Sequence, residues 1–134
     1  SRKLFKTEEL KEWMDRNSIH DQIESDDLHI TVAYSRKPVE WDDIVLDTNF
    51  LIIPNTSRKI KLFGTALVLS INSVYLNNRW EYYNEIGCSY DFPEYIPHIS
   101  LSYDYDSLPK ISCFDGTLVL GPEMIEDLKV DEEE

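Results

Sequence analysis

The sequence predicts an internally duplicated α+β domain, with two lobes facing each other across a cleft. Three observations carry that expectation. Strand-like and helix-like segments alternate along the chain, which favours a mixed architecture. The chain has 134 residues, the size of one domain, and 42% of them are hydrophobic, enough for a real core. Two apolar, β-prone runs also echo each other: Leu28-His29-Ile30-Thr31-Val32-Ala33-Tyr34 and Pro97-His98-Ile99-Ser100-Leu101-Ser102-Tyr103. No Gly/Ser-rich linker separates the halves that contain them.

The elements follow from local pattern. Thr7 caps a predicted helix running to about Ile19, with Glu8 and Glu9 in the first turn, where acidic groups suit the positive helix end. Leu10, Trp13 and Met14 form its apolar stripe. Residues Asp21 to Asp27 are an acidic connection to the first histidine strand. Pro38 suits the first turn of a short helix over Val39 to Ile44. Strands are expected at Phe50–Ile53 and Lys59–Phe63, joined by the turn Pro54-Asn55-Thr56-Ser57, then at Ala66–Ile71. Asn77 to Gly87 reads as a helix on the spacing of Trp80, Tyr83 and Ile86, with Gly87 as its stop. An aromatic and proline-rich loop, Cys88 to Pro97, leads into the second histidine strand, and Gly116–Gly121 is the last strand. Glu123 to Lys129 is short and mixed. The expected domain covers residues 1–130, with 131–134 as an acidic tail.

Bulk properties restrict function. A net charge of -13 excludes a protein that attracts long nucleic acid over its whole surface. A phosphate-bearing ligand must then be small, or held by local cations such as Arg36, Lys37, Arg58, Lys59 and Lys61. No apolar run approaches the ~20 residues of a membrane-spanning helix. Cys88 and Cys113 have neither metal-ligand nor redox spacing and suggest a reducing compartment.

The repeated segments carry the chemistry. Side chains alternate faces along a strand, so His29 and Thr31 share one face, as do His98 and Ser100. The other face carries Leu28, Ile30, Val32 and Tyr34 in one copy and Ile99, Leu101 and Tyr103 in the other, a natural core face. One His-x-Thr triplet means little, because such triplets arise by chance; two in matching apolar strands point to a shared site. Cleaving a phosphodiester without metal needs a base, an acid and donors for the non-bridging oxygens. Histidine fills either proton-transfer role near neutral pH, and hydroxyls serve as donors. Two strand histidines with no third His or Cys nearby are a poor zinc set, so neither a metal nor a cofactor is expected. His20 sits at a helix end and reads as a cap or surface group.

His29-Ile30-Thr31-Val32 and His98-Ile99-Ser100-Leu101 resemble the paired motifs of the two-histidine (2H) phosphoesterase superfamily. The resemblance implies a bilobal fold of two pseudo-symmetric lobes, with antiparallel sheets facing a central cleft and helices outside. It makes His29, Thr31, His98 and Ser100 the expected catalytic residues. Further segments narrow it: Ser35-Arg36, Pro38-Val39 and Trp41 after the first motif, Asp91-Phe92-Pro93-Glu94-Tyr95 before the second, and Leu118 to Gly121 followed by Pro122-Glu123. These are similar to phage anti-CBASS enzymes, which degrade cyclic oligonucleotide alarm signals of bacterial immunity.

That branch implies a phosphodiesterase acting on cyclic di- or trinucleotides such as cGAMP, in the cytoplasm of the infected host, with no membrane or long nucleic-acid partner. Glu126, with Glu123 as competitor, Tyr95 and Arg36 are candidate substrate contacts. Branch members begin with a short strand bearing a base-contacting tyrosine. Here Ser1-Arg2-Lys3-Leu4 stands where that strand should end, so the strand is expected to be missing or cut short, as in a domain taken from a larger phage polypeptide. Other functions remain open, among them a structural phage component that retains the fold, and two that act on nucleotides. One is cleavage of RNA ends bearing 2′,3′-cyclic phosphate, or of 2′-5′ oligoadenylates. The other is a module that sequesters cyclic nucleotides without cutting them.

Overall fold

Apolar residues at every second position build one antiparallel sheet, and apolar stripes on two helices cover one of its faces. The computed structural model describes residues 1–33, 44–55, 57–88 and 94–125. Within these, the strands are β1 (Arg2–Phe5), β2 (His29–Ile30), β3 (Leu51–Ile53), β4 (Arg58–Phe63), β5 (Ala66–Ile71), β6 (His98–Ser102) and β7 (Leu118–Glu123). The helices are α1 (Glu8–Arg16) and α2 (Val74–Glu85), with a 3-10 turn at Ser25–Asp27. The seven strands run in the order β3-β7-β1-β2-β6-β5-β4.

Leu10, Trp13 and Met14 of α1 and Leu76 and Tyr83 of α2 join a single core with Leu28, Ile30, Leu67, Leu69, Ile99, Leu101 and Leu120. Burial of each such side chain stabilises the fold by roughly 1.5–3 kcal/mol. Trp13 donates its indole N–H to the Ser112 carbonyl at 3.2 Å and meets the Phe114 ring edge-on at 6.0 Å, which ties α1 to the segment before β7. The chain is therefore α+β, as expected, and among the described strands its two halves share one antiparallel sheet. They meet edge to edge, with β2 and β6 as neighbours in one sheet. The duplication survives in another form: strand–helix–strand occurs twice, as β1-α1-β2 and β5-α2-β6, with the members of each strand pair antiparallel neighbours.

Residues Arg2–Phe5 form a strand, β1, that the sequence pattern did not show. β1 lies between β2 and β7, with Arg2 paired to Ile30 and Lys3 to His29. Its alternation is hard to see in the sequence because one of its two inward residues is an arginine: Arg2 and Leu4 are buried, Lys3 and Phe5 exposed. Only His29 and Ile30 of the predicted first histidine strand enter the ladder, while Thr31 to Ala33 continue without regular pairing. The predicted helix over Val39 to Ile44 lies outside the described residues except for Ile44, which is irregular.

Helix α1 ends earlier than predicted, as Ser18 adopts φ 56. Helix α2 begins earlier, because Ser73 accepts a hydrogen bond from the Leu76 N–H, an N-cap that the apolar spacing alone does not reveal. Gly87 (φ 106) takes the left-handed conformation that stops the helix. β7 runs on through Pro122 to Glu123 rather than stopping at Gly121. Leu51 pairs with Leu120, so Pro122 lies past the end of the β3 ladder, and beyond it the Glu123 N–H donates to the Asp47 carbonyl at 2.9 Å. On the other side the β1–β7 register shifts between Arg2 and Leu4. Both irregularities suit a residue that cannot donate to a ladder.

Arg2 anchors the buried end of β1. It is fully buried and ion-pairs with Asp47 and, at 3.6 Å, with Glu123. It also donates to the carbonyls of Gly121 (2.9 Å) and Asn49 (3.0 Å). Glu123 accepts two hydrogen bonds from Arg79, at 2.7 and 2.8 Å, one from the Tyr83 hydroxyl at 2.7 Å and one from the Asp47 N–H at 2.9 Å. Two cations and two carboxylates balance in one network that joins β1, β7, α2 and the segment before β3.

Burial raises the Asp47 carboxyl pKa, but hydrogen bonds from Tyr75, the Asn49 N–H and Arg2, with the charge of Arg2, outweigh it and hold it at about 2. Burial opposes ionisation of Glu123 too, yet Arg79, the Asp47 N–H and Tyr83 pull its pKa below the usual carboxylate range. Both pKa values are depressed on folding. Their stabilisation is therefore complete above the unfolded carboxylate pKa and lost as pH falls through the folded values. Urea denaturation should give a flat stability from pH 7 to about 5 and a steep decline between about pH 4 and 2. Glu123→Ala leaves Arg2 and Arg79 without that carboxylate and should cost about 3–5 kcal/mol; a loss below about 1 kcal/mol would refute this account of the network.

Candidate functional site

The register of the central strands assembles the site. Ile30 pairs with Ile99 across the antiparallel β2–β6 ladder. In that register His29 lies opposite Ser100, and Thr31 opposite His98. All four project from the face opposite the buried Ile30 and Ile99. Directly opposed side chains start about 4.5–5.5 Å apart, and diagonal neighbours such as the two histidines about 7–8 Å apart. An approximate two-fold axis between the strands exchanges His29 with His98 and Thr31 with Ser100.

The two imidazoles are held alike. His29 Nδ1 lies 2.8 Å from the Asp27 carbonyl oxygen, and His98 Nδ1 lies 2.8 Å from the Ile96 carbonyl oxygen. A carbonyl oxygen only accepts, so Nδ1 carries the hydrogen and donates it in both residues. In the neutral ring Nε2 is then a bare lone pair, and in the charged ring Nε2–H is a donor. The Thr31 and Ser100 hydroxyls make no hydrogen bond among the described residues and are half-buried.

The surroundings differ between the copies. His29 is exposed, with Lys3 as its β1 neighbour. His98 is half-buried, has Ser70 as its β5 neighbour, and meets the Phe63 ring edge-on at 5.0 Å. On the β1 side of the same face, exposed Phe5 packs against exposed Phe50 at 5.2 Å. The Phe5 ring lies so close over Gly121 that a Cβ there would come within 2.5 Å of it. Sequence reasoning missed Lys3, Phe5 and Phe63. Lys3 and Phe5 stand on β1, which the sequence pattern did not show, while Phe63 reaches His98 from β4, two strands away.

The candidate substrate contacts have separate fates. Glu123 is buried, with both carboxylate oxygens engaged by the chain's own donors, so it serves the β1–β7–α2 network. Tyr95 donates its hydroxyl to the Thr31 carbonyl at 2.8 Å and stacks on Trp80 at 5.7 Å, bracing the end of β2 against α2. Arg36 and Glu126 lie outside the described residues. His20 is exposed as expected. It stacks on Tyr105 at 4.1 Å and bonds the Asp104 carbonyl at 2.8 Å. Among the described residues, one grouping has metal-ligand spacing: His20, Asp21 and Asp104, all exposed; it includes neither His29 nor His98. Cys88 and Cys113 are free thiols. No described helix is long and apolar enough to cross a membrane.

The fold and the site define a class: an α+β protein with a twice-repeated His-x-Thr/Ser strand at the centre of one antiparallel sheet. A family model described as "Anti-CBASS protein Acb1" matches residues 1–134. The chain is 32% identical over 137 residues to an anti-CBASS protein Acb1 of Caulobacter sp. (strain RHG1), covering 96% of this chain and 22% of that protein. It is 33% identical over 116 residues to the one of Acinetobacter phage Ac42, covering 82% of this chain and 75% of the relative. It is 30% identical over 115 residues to that of Enterobacteria phage T4, covering 84% and 74%. The chain belongs to the anti-CBASS protein Acb1 family. It spans under a quarter of the Caulobacter relative and about three quarters of the two phage proteins.

The carbonyl partners fix an observable. In their neutral form both rings should be the Nδ1–H tautomer, the minor one in free histidine, as read from two-bond ¹H–¹⁵N correlations. An Nε2–H tautomer at either position would contradict the geometry.

Proposed function

We propose that this chain is a metal-independent phosphodiesterase of the two-histidine kind, which cleaves 3′–5′ bonds in cyclic di- or trinucleotides and so removes CBASS signals. One observation carries the reading: two imidazoles, each fixed through Nδ1 to a main-chain carbonyl, present Nε2 beside two hydroxyls in one four-cornered patch. The family's name gives the biological context, and the motifs give the chemistry.

In this mechanism a phosphate sits over the two-fold axis. Nε2 of one neutral histidine takes the proton from the adjacent ribose 2′-hydroxyl, or from a water, as that oxygen attacks phosphorus. Nε2–H of the other, charged histidine gives its proton to the departing 5′-oxygen. With the 2′-hydroxyl as nucleophile, the new O–P bond closes a 2′,3′-cyclic phosphate as the P–O5′ bond breaks. The Thr31 and Ser100 hydroxyls donate to the non-bridging oxygens, where negative charge grows. Phe63 and the Phe5–Phe50 pair offer apolar ring surface on the same face for bases. The net charge of -13 suits a compact ligand, since two or three phosphates need only local donors.

Incubation with a panel of cyclic di- and trinucleotides in EDTA tests this directly. Each of His29→Ala and His98→Ala should lower kcat about 10²–10⁴-fold, and Thr31→Val or Ser100→Ala by less. Activity surviving both histidine substitutions would sink the reading, and abolition by EDTA would replace it with a metal site. Binding without cleavage by the wild-type chain would favour sequestration. Rapid turnover of a 2′-deoxy cyclic dinucleotide would exclude the 2′-hydroxyl as nucleophile.

A further inference from the structure

Beyond the four central residues, β4 places two lysines on the site's face. Lys59 pairs with Ser70 and Lys61 with Val68 across β4–β5; Ser70 pairs with His98 and Val68 with Ser100 across β5–β6. Paired residues share a face, so two rows cross the sheet. One runs Thr31, His98, Ser70, Lys59. The other runs Lys3, His29, Ser100, Val68, Lys61, and each ends in a lysine on β4. At the usual strand spacing, these lysine backbones stand two strands, about 10 Å, from His98 and Ser100.

That spacing sets the two ammonium groups on the β4 side of a phosphate held by the histidines, the side on which Phe63 already reaches the His98 ring and on which the rest of the same ligand would extend. Among the described residues, the two cations are also free of ion pairs. The chain carries 26 Asp and Glu against 13 Lys and Arg. Yet among the described residues the salt bridges are made by Arg2 and Arg79, with no carboxylate paired to Lys59 or Lys61. Lys59 is exposed and Lys61 half-buried. Alternate residues of the same strand, Arg58, Ile60 and Leu62, point the other way, where Arg58 donates to the Phe114 carbonyl at 2.9 Å and Ile60 and Leu62 pack on the core. The two lysines have no such structural duty.

We propose that Lys59 and Lys61 form a seat for a second, non-scissile phosphate, and so select substrates carrying more than one phosphodiester. This rests on the phosphodiesterase reading and adds its substrate selection. The test compares the wild-type chain with Lys59→Gln/Lys61→Gln on two substrates with the same scissile bond: a cyclic dinucleotide, with two phosphates, and the linear dinucleoside monophosphate, with one. Arg16→Gln/Lys110→Gln removes the same charge from exposed positions elsewhere and controls for long-range electrostatics.

The β4 double variant should raise KM for the cyclic dinucleotide about five- to tenfold and leave kcat unchanged, since two exposed contacts supply only modest binding. It should change kcat/KM for the linear compound less than about twofold. Lys59→Arg/Lys61→Arg should restore most of the cyclic KM. An equal loss on both substrates, an equal loss in the Arg16/Lys110 control, or no loss at all would overturn the proposal. Calorimetry with a phosphorothioate cyclic dinucleotide reads the seat without turnover. If the wild-type chain cleaves neither substrate, the phosphodiesterase reading fails, and a five- to tenfold weaker affinity of the β4 variant in calorimetry would still support the seat.

Discussion

The pairing of Ile30 with Ile99 is the constraint on which the rest depends. A strand has a period of two, so a slip of one residue turns every side chain to the other face. Such a slip in β2 or β6 would bury a histidine among leucines and expose an isoleucine. Ile30, Ile99 and Leu69 are fully buried in one row across three strands. The apolar face therefore sets the register, and the register sets the site. The polar quartet does not hold itself together; it is displayed by the core behind it.

β2 is the weakest part of that display, with only two residues in the ladder. Its support comes from both sides. β6 pairs with it through Ile99, and β1 through Arg2 and Lys3, with the Leu4 N–H also donating to the Leu28 carbonyl at 2.9 Å. β1 is itself pinned by Arg2 in the buried ion network with Asp47 and Glu123. Beyond the ladder, Tyr95 holds the Thr31 carbonyl from the helix side. The position of His29 thus traces back to charges more than one strand away. Balanced, hydrogen-bonded buried pairs of this kind fix arrangement more than they add net stability.

The shared face of the four polar residues was legible in the sequence, and the sheet only partly so. Twin triplets in apolar strands placed His29, Thr31, His98 and Ser100 on one face because a period-two pattern reports the face directly. Helix α1 was visible from its stripe; α2 was read from Trp80, Tyr83 and Ile86, of which only Tyr83 is buried, and without the Ser73 cap its start fell three residues too late. The union of two lobes into one sheet was not legible, since pairing between β2 and β6 depends on contacts far apart in the chain. β1 was not legible as a strand because Arg2 occupies an inward position, and an arginine there reads as polar surface until its partners Asp47 and Glu123 are known. Glu123 was weighed as a ligand contact for the same reason: a lone carboxylate in sequence shows nothing of Arg79 and Tyr83 around it.

An antiparallel pair also explains why a duplication suits this chemistry. In-line displacement at phosphorus needs the attacking and leaving oxygens on opposite sides of the atom. Two residues related by a local two-fold axis lie on opposite sides of it by construction. A phosphate on that axis meets one Nε2 from each direction, with the two hydroxyls at the remaining corners. Parallel strands would place both histidines on equivalent sides of the ladder and lose this opposition. The symmetry leaves the two imidazoles interchangeable in geometry. What distinguishes them is the flank: Lys3 beside His29, Phe63 and Ser70 beside His98. On the proposed reading, the centre would set the reaction and the asymmetric walls the way round a nucleotide lies across it.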